Sequence, residues 1–222
     1  MELEVLHDDN HLLAVVKPAG VPLVPDASGD ESLFAVARAW VKRRYGKPGE
    51  AYLGVVHRLD RPVSGVVVFA RTSKAARRLT EAFRARRVVK VYRAVGRGEP
   101  GAEGGTVEAW VRKDRVANRV ESFPGPVRGA KRAVTHWRVA ARARDGRVLY
   151  ELRPETGRPH QLRAAMASLG TPLLGDLKYG AREALPDRSI ALHAAALELE
   201  HPVSRERVRF AAPPPARPWW EI

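Results

Sequence analysis

The sequence contains no cysteine, which excludes disulfides, thiolate metal sites and a cysteine nucleophile. It also lacks any apolar run approaching the roughly 18 residues that a membrane-spanning helix needs. The segment Met1-Glu2-Leu3-Glu4-Val5 carries acidic side chains where a secretory signal would carry basic ones. We therefore expect a soluble, cytoplasmic protein that has no membrane partner.

Acidic residues are in the minority. The chain has 39 Lys and Arg against 25 Asp and Glu, which gives a formal net charge of +14. This balance predicts a polyanionic partner, although charge alone does not distinguish RNA from DNA or acidic lipid. A genomic bias towards Arg and Ala is the alternative explanation of the same composition.

The hydrophobic periodicity predicts an α+β protein. We predict helices at 32–43, after Ser73 and at about 159–169, and a loop at 42–50. The remaining predicted elements are strands, at 3–6, 12–16, 66–70, 88–96, 106–112, 131–140, 147–153, 190–200 and 207–210. No linker or internal repeat divides the chain, so we predict a single domain over residues 1–222 with a mixed, largely antiparallel central sheet and flanking helices.

The densest polar cluster is a nine-residue run, His57-Arg58-Leu59-Asp60-Arg61-Pro62-Val63-Ser64-Gly65. Asp60 lies between two arginines, and a nearby guanidinium can lower the pKa of a carboxylate by roughly 1–3 units. Such a carboxylate stays ionised and is available as a nucleophile or a base. A structural ion pair at the start of a strand is the alternative that these residues leave open.

A second polar cluster, Thr156-Gly157-Arg158-Pro159-His160-Gln161-Leu162-Arg163, turns into the predicted third helix. Arg163 follows His160 by three residues, so the two share one face of that helix. An arginine in an otherwise apolar stretch needs a partner if it points inward. Asp60 is a candidate partner, but the sequence does not show that they meet.

The predicted helix after Ser73 carries an apolar stripe on one face and basic residues on the other. The basic residues are Lys74, Arg77, Arg78, Arg84 and Arg86. A solvated helix face and a contact with an RNA backbone both explain this arrangement.

The polar clusters at 57–65 and 156–163 resemble those of the RluA-type RNA pseudouridine synthases. The first is similar to the family signature H-R-L-D-x-x-T-S-G and the second to T-G-R-x-H-Q-L-R. Further similar blocks follow the family order: Val15 to Pro22, Lys90-Val91-Tyr92-Arg93-Ala94, Gly175-Asp176-Leu177-Lys178-Tyr179 and Leu192-His193-Ala194. The resemblance covers nearly the whole chain. It departs at Val63, where the family usually has threonine.

The resemblance implies a pseudouridine synthase fold with a catalytic cleft and a reaction that converts uridine to pseudouridine in ribosomal or transfer RNA. It implies no cofactor and no metal. Many relatives carry a separate RNA-binding domain before the catalytic one, but only sixteen residues precede Lys17 here. We therefore expect the catalytic domain alone to recognise RNA, as a monomer.

The resemblance also implies residue roles. Asp60 is the catalytic nucleophile or base, Tyr92 stacks on the flipped uracil and assists removal of the carbon 5 proton, and Arg163 pairs with Asp60. Arg58 occupies the space left by the flipped base or holds the RNA backbone. The candidate substrate-binding residues are Arg58, Arg61, Arg158 and Leu162.

Three alternatives accompany these roles. The first is that Tyr92 is an aromatic residue of the core. For His57 and His160 we expect a structural role and no part in the chemistry. A non-catalytic RNA-binding or ribosome-assembly protein could keep the same fold, although it would have no need for a carboxylate facing a polyanion. A glycoside hydrolase is disfavoured because its chemistry generally uses two carboxylates, and the signature supplies one.

Overall fold

The computed structural model describes residues 1–46, 48–114 and 116–222. Its contacts divide the chain into two compact units: Met1–Val89 with Ala194–Pro213, and Lys90–His193 with Pro214–Ile222. Within the described ranges, no helix is long and apolar enough to cross a membrane. Lys47, in the predicted loop at 42–50, lies outside the described residues.

The elements alternate between strands and helices in the first half, and strands dominate the second. In chain order they are β1 (Val5–Asp8), β2 (Leu12–Lys17), α1 (Leu33–Arg44), β3 (Gly54–Val55), β4 (Ser64–Ala70), α2 (Ser73–Arg84), β5 (Val89–Arg97), β6 (Gly104–Asp114), β7 (Arg119–Phe123), β8 (Lys131–Arg142), β9 (Arg147–Pro154), α3 (Gln161–Ser168), β10 (Leu192–Glu200) and β11 (Arg207–Ala211). Short 3-10 helices cover Leu177–Tyr179 and Pro218–Trp220. The predicted α+β class is confirmed.

The first unit arranges its strands in the order β1-β2-β4-β10, with β3 paired to β4 and β11 paired to β10. The pairs β1–β2, β2–β4, β3–β4 and β10–β11 are antiparallel. All seven residues of β4 are buried. Its alternate residues Val66, Val68 and Ala70 share a core cluster with Ala75 and Leu79 of α2, while Phe69 meets Phe34 of α1 edge to face at 6.3 Å.

Both helices of the first unit begin at a side-chain cap. The Ser32 hydroxyl accepts a hydrogen bond from the N–H of Ala35, and the Thr72 hydroxyl accepts one from the N–H of Ala75. These contacts satisfy backbone donors that the first helical turn leaves without a partner. They fix where α1 and α2 start on either side of the segment that carries Asp60.

The second unit is an antiparallel meander in the order β5-β9-β8-β6-β7. The helix α3 lies against β6, β7 and β8, and Tyr150, Leu152 and Met166 are fully buried. The sequence does not predict β7. It places the start of α3 at about 159, whereas α3 begins at Gln161 because His160 adopts a left-handed conformation, with φ of +47°.

Candidate active site

Asp60 lies in the connection between β3 and β4, half-buried. A turn follows it, closed by the N–H of Val63, which donates a hydrogen bond of 3.0 Å to the Asp60 carbonyl oxygen. The Val63 side chain is 2% exposed. The position where the resembling family has threonine is therefore an apolar core position here, and the turn forms without the hydroxyl.

Gly65 fixes the strand that follows this turn. Its φ is +123°, and an added Cβ would lie 2.4 Å from both the nitrogen and the carbonyl oxygen of Ala194 in the same unit. No side chain fits at that distance, so glycine is the residue that lets β4 begin here. Ser64, immediately before it, is also buried.

Lys17, the last residue of β2, is fully buried and supports the Asp60 turn. Its ammonium group donates hydrogen bonds of 2.9 Å to the carbonyl oxygen of Pro18 and 3.0 Å to that of Arg61. Burial lowers the pKa of Lys17 to about 7; the negative charge of Asp60 opposes this shift and the positive charge of Arg61 adds to it. Sequence reasoning assigned Lys17 no role, although a lysine ending an apolar strand was a signal that it serves a buried acceptor.

The two arginines beside Asp60 differ in their surroundings. Arg61 donates a hydrogen bond of 2.8 Å to the Gly20 carbonyl oxygen, and its guanidinium pairs with Asp30 and, at 3.9 Å, with Asp26. It therefore holds the loop after β2. Arg58 is exposed and, in the described part of the chain, forms no ion pair.

His57 ties the same connection to α2. Its Nε2 accepts a hydrogen bond of 2.9 Å from the N–H of Val68, so the neutral ring carries its proton on Nδ1. The ring stacks on Phe83 with a centroid distance of 4.8 Å and an interplanar angle of 13°. This geometry matches the scaffold role expected for His57.

In the second unit, the other polar cluster folds around a buried amide. The Gln161 side chain donates to the Val134 carbonyl oxygen at 2.9 Å and to the Thr135 hydroxyl at 3.0 Å. Its Oε1 accepts from the Thr156 hydroxyl at 2.7 Å and from the N–H of Arg158 at 3.0 Å. These bonds fix the approach to α3 and hence the position of the side chains on that helix.

Arg163 is 6% exposed and forms a bidentate ion pair with Asp176. Both hydrogen bonds measure 2.7 Å, and Asp176 is 1% exposed. The Arg163 guanidinium also lies 5.0 Å from the ring centre of Tyr179, whose hydroxyl contacts the N–H of Val120 at 2.7 Å and Nδ1 of His160 at 3.0 Å. Burial raises the pKa of Tyr179. Asp176 and Tyr179 are residues of the Gly175–Tyr179 block to which sequence reasoning gave no role.

Comparison with known proteins gives matches over most of the chain. A family model described as RNA pseudouridylate synthase matches residues 11–168. The chain is 37% identical to an uncharacterized RNA pseudouridine synthase, YhcT, of Bacillus subtilis, covering 97% of this chain and 70% of that protein. It is 35% identical to the dual-specificity RNA pseudouridine synthase RluA of Haemophilus influenzae, covering 95% of this chain and 92% of that protein.

The chain belongs to the RNA pseudouridine synthase family. A solved structure of human RNA pseudouridylate synthase domain containing 4 has a TM-score of 0.78, with 26% identity, covering 95% of this chain and 88% of the human one. The chain is also 38% identical to the ribosomal large subunit pseudouridine synthase D of Xanthomonas campestris, of which it spans 66%. The RluA-type resemblance is thus confirmed, and the chain is an RNA pseudouridine synthase, an isomerase.

The remaining candidate residues of this pseudouridine synthase all lie in its second unit. Tyr92 is half-buried in β5, opposite Leu152 of β9. Arg158 donates a hydrogen bond of 3.0 Å to the Arg132 carbonyl oxygen, and Leu162 is 7% exposed. The substrate-binding roles of Arg58, Arg61, Arg158 and Leu162, and the pairing of Arg163 with Asp60, remain predictions.

Proposed function

We propose that this pseudouridine synthase modifies uridine in ribosomal or transfer RNA and that Asp60 is its catalytic residue. The observation that carries the proposal is the Asp60 turn. Its backbone is fixed by the Val63 hydrogen bond and by Lys17, and Asp60 as a residue is half-buried. A catalytic group must be held close to its productive position by its own surroundings. The fixed backbone of the Asp60 turn supports the proposal.

The reaction conserves atoms and electrons. The bond between N1 of uracil and C1′ of ribose breaks, the base rotates, and C5 bonds to C1′ while its proton leaves and N1 gains one. Asp60 acts as nucleophile or base in this sequence. The target base must first leave its stack, which costs a few kcal/mol, and the half-buried Tyr92 ring offers a surface on which the flipped uracil can stack.

The names of the relatives support the proposed RNA class. One is named for the large ribosomal subunit, one for dual specificity, and one, from Pectobacterium carotovorum and 35% identical, for transfer RNA. The formal charge of +14 supports a polyanionic substrate of either kind. We further propose that the chain acts as one catalytic domain and as a monomer in the cytoplasm, which light scattering during size-exclusion chromatography and cell fractionation would test.

Asp60→Asn is the decisive variant. Tritium release from RNA labelled at carbon 5 of uridine should be lost, while RNA affinity should hold because removing a negative charge does not weaken attraction to phosphate. Glu121→Gln, which changes an exposed carboxylate paired with Arg112, is the matched control and should stay active. Turnover by Asp60→Asn close to that of the unmodified chain would end the assignment. Mapping pseudouridines in total RNA with and without the gene would identify the substrate.

A further inference from the structure

The helix α2 and the three residues after it carry a dense group of basic side chains. Between residues 74 and 87 the chain has six Lys and Arg and one acidic residue, Glu81. Ala75 and Leu79 are buried, and Phe83 packs against the core. The exposed residues of this stretch are Lys74, Arg77, Thr80, Glu81, Arg84, Ala85, Arg86 and Arg87, together with Ser73 at its start. One face of α2 is thus anchored and the other is free and basic.

Within residues 1–46, 48–114 and 116–222, no carboxylate pairs with the basic side chains of this face. On the strands, exposed arginines pair with carboxylates, as Arg132 does with Glu108 and Arg207 with Glu198. On α2, Arg78 donates to the Pro202 carbonyl oxygen. Among the residues that the structure describes, no ion pair forms with the other basic side chains of the stretch, which are Lys74, Arg77, Arg84, Arg86 and Arg87. These cations therefore remain available to an external anion.

Arg86 occupies a backbone position that favours glycine. Its φ is +59°, and it follows the C-cap Ala85 of α2. The N–H of Arg86 donates to the Phe83 carbonyl oxygen at 3.2 Å and the N–H of Arg87 to that of Ala82 at 2.9 Å. This is the Schellman ending of a helix, in which the left-handed residue is usually glycine. The left-handed conformation strains a residue other than glycine, and the Arg86 side chain forms no ion pair within the described residues. Arg86 differs from other left-handed arginines in lying between Arg84 and Arg87, at the basic end of α2.

The end of α2 packs against His57, in the segment that leads into the Asp60 turn. Phe83, three residues before Arg86, stacks on His57, which lies three residues before Asp60. Earlier in α2, Ala76 packs closely on Gly54 of β3, where an added Cβ would lie 2.9 Å from the Ala76 Cβ. The basic end of α2 is therefore attached to the segment that leads into Asp60.

We infer that Arg84, Arg86 and Arg87, here called the α2 basic cluster, bind the phosphate backbone of the substrate RNA beside the uridine that is modified. This inference rests on the proposed function and adds a substrate-binding site to it. The helix dipole also favours a cation in the last turn, which accounts for Arg84 but not for the left-handed Arg86. An acidic membrane is disfavoured, because an interfacial helix needs a free apolar face and the apolar face of α2 is in the core.

The first test is Arg86→Gly, which removes the guanidinium and relieves the backbone. Binding of a structured RNA by the full-length chain should be followed by fluorescence anisotropy over a series of salt concentrations. The salt slope should fall by about 0.7 for each single-strand phosphate that the variant no longer neutralises, hence by about 2 in a triple variant with Arg84→Gln and Arg87→Gln. The melting temperature of Arg86→Gly should equal or exceed that of the unmodified chain.

Two matched controls separate a local effect from a general loss of charge. Arg188 and Arg205 are exposed arginines with φ of +56° and +68°, and Arg205 is paired with Glu200. Arg188→Gly and Arg205→Gly each remove one cation from the same backbone conformation outside the cluster. Both should leave the salt slope unchanged.

The inference fails if the triple variant keeps the salt slope of the unmodified chain, or if Arg188→Gly lowers that slope as much as Arg86→Gly does. It also fails if affinity falls only together with the melting temperature. Tritium release by the unmodified chain is measured in parallel. No release from any RNA would overturn the proposed function, whereas normal release with unchanged binding by the triple variant would overturn the α2 basic cluster alone.

Discussion

The ammonium group of Lys17 donates a 3.0 Å hydrogen bond to the carbonyl oxygen of Arg61, the residue after Asp60. This bond joins the end of β2 to the Asp60 turn through a side chain that solvent does not reach. Because a buried ammonium is poorly solvated, its pKa falls to about 7. The stability of the fold is thereby coupled to the protonation of Lys17.

Lys17→Met should remove a pH dependence of stability. With a pKa of about 7 in the fold and about 10.4 in the unfolded chain, Lys17 binds fewer protons folded than unfolded between those values. The free energy of unfolding of the unmodified chain should therefore rise with pH across this window, by at most about 1.4 kcal/mol per pH unit. Urea unfolding at several pH values measures it. Lys113→Met, at an exposed lysine of β6, should retain the rise; an equal rise in Lys17→Met would contradict the coupling.

Tyr92→Phe should lower turnover without weakening RNA binding, because the ring surface remains and only the hydroxyl is lost. Tyr92→Ala should also remove the stacking surface, at a cost of roughly 1–3 kcal/mol in RNA binding. Single-turnover rates, RNA affinity and melting temperature should be measured for both variants. A core role would instead show as roughly 3–5 kcal/mol of lost stability in Tyr92→Ala, with full activity in Tyr92→Phe.

Asp176→Ala should destabilise the chain by roughly 3–5 kcal/mol, because it leaves the buried Arg163 guanidinium without its bidentate carboxylate. Glu121→Ala removes the exposed partner of Arg112 and should cost no more than about 1 kcal/mol. Urea unfolding of both variants makes the comparison. Similar losses in the two would show that Asp176 contributes no more than a surface ion pair.

Gly65→Ala should destabilise the chain by roughly 2–6 kcal/mol, the combined effect of an unfavourable φ and of a close approach to the Ala194 backbone. Gly146 is a matched control, since its φ is +82° but an added Cβ there would meet no atom within 4 Å. Gly146→Ala should therefore show the conformational part alone. Thermal unfolding that gave equal losses would rule out a steric requirement at Gly65.

The sequence predicts those helices and strands whose apolar residues follow a regular pattern along the chain. The apolar positions of α2 recur with the period of a helix, and β4 is a continuous apolar run. Both elements can therefore be recognised from the sequence. The short strand β7, with the pattern Arg119-Val120-Glu121-Ser122-Phe123, has one fully buried residue and too weak an alternation to be predicted.

The candidate site is less predictable because its contacts join distant positions. The sequence places Arg61 beside Asp60, yet the Arg61 guanidinium turns to Asp26 and Asp30. It suggests Asp60 as a partner for Arg163, and the carboxylate seen on Arg163 within the second unit is Asp176. Adjacency along the chain does not determine where a long side chain points, so these partners require the structure.

The first unit consists of two segments that are far apart in the sequence, and this affects how it folds during synthesis. Residues 194–213 complete the unit that begins with 1–89, and Ala194 is the backbone against which Gly65 closes. At translation rates of about 5–20 residues per second, the intervening segment of about a hundred residues takes about 5–20 s to synthesise. During that interval the turn that carries Asp60 lacks its packing partner, so the nascent chain completes the packing of this turn only after Ala194 has been synthesised.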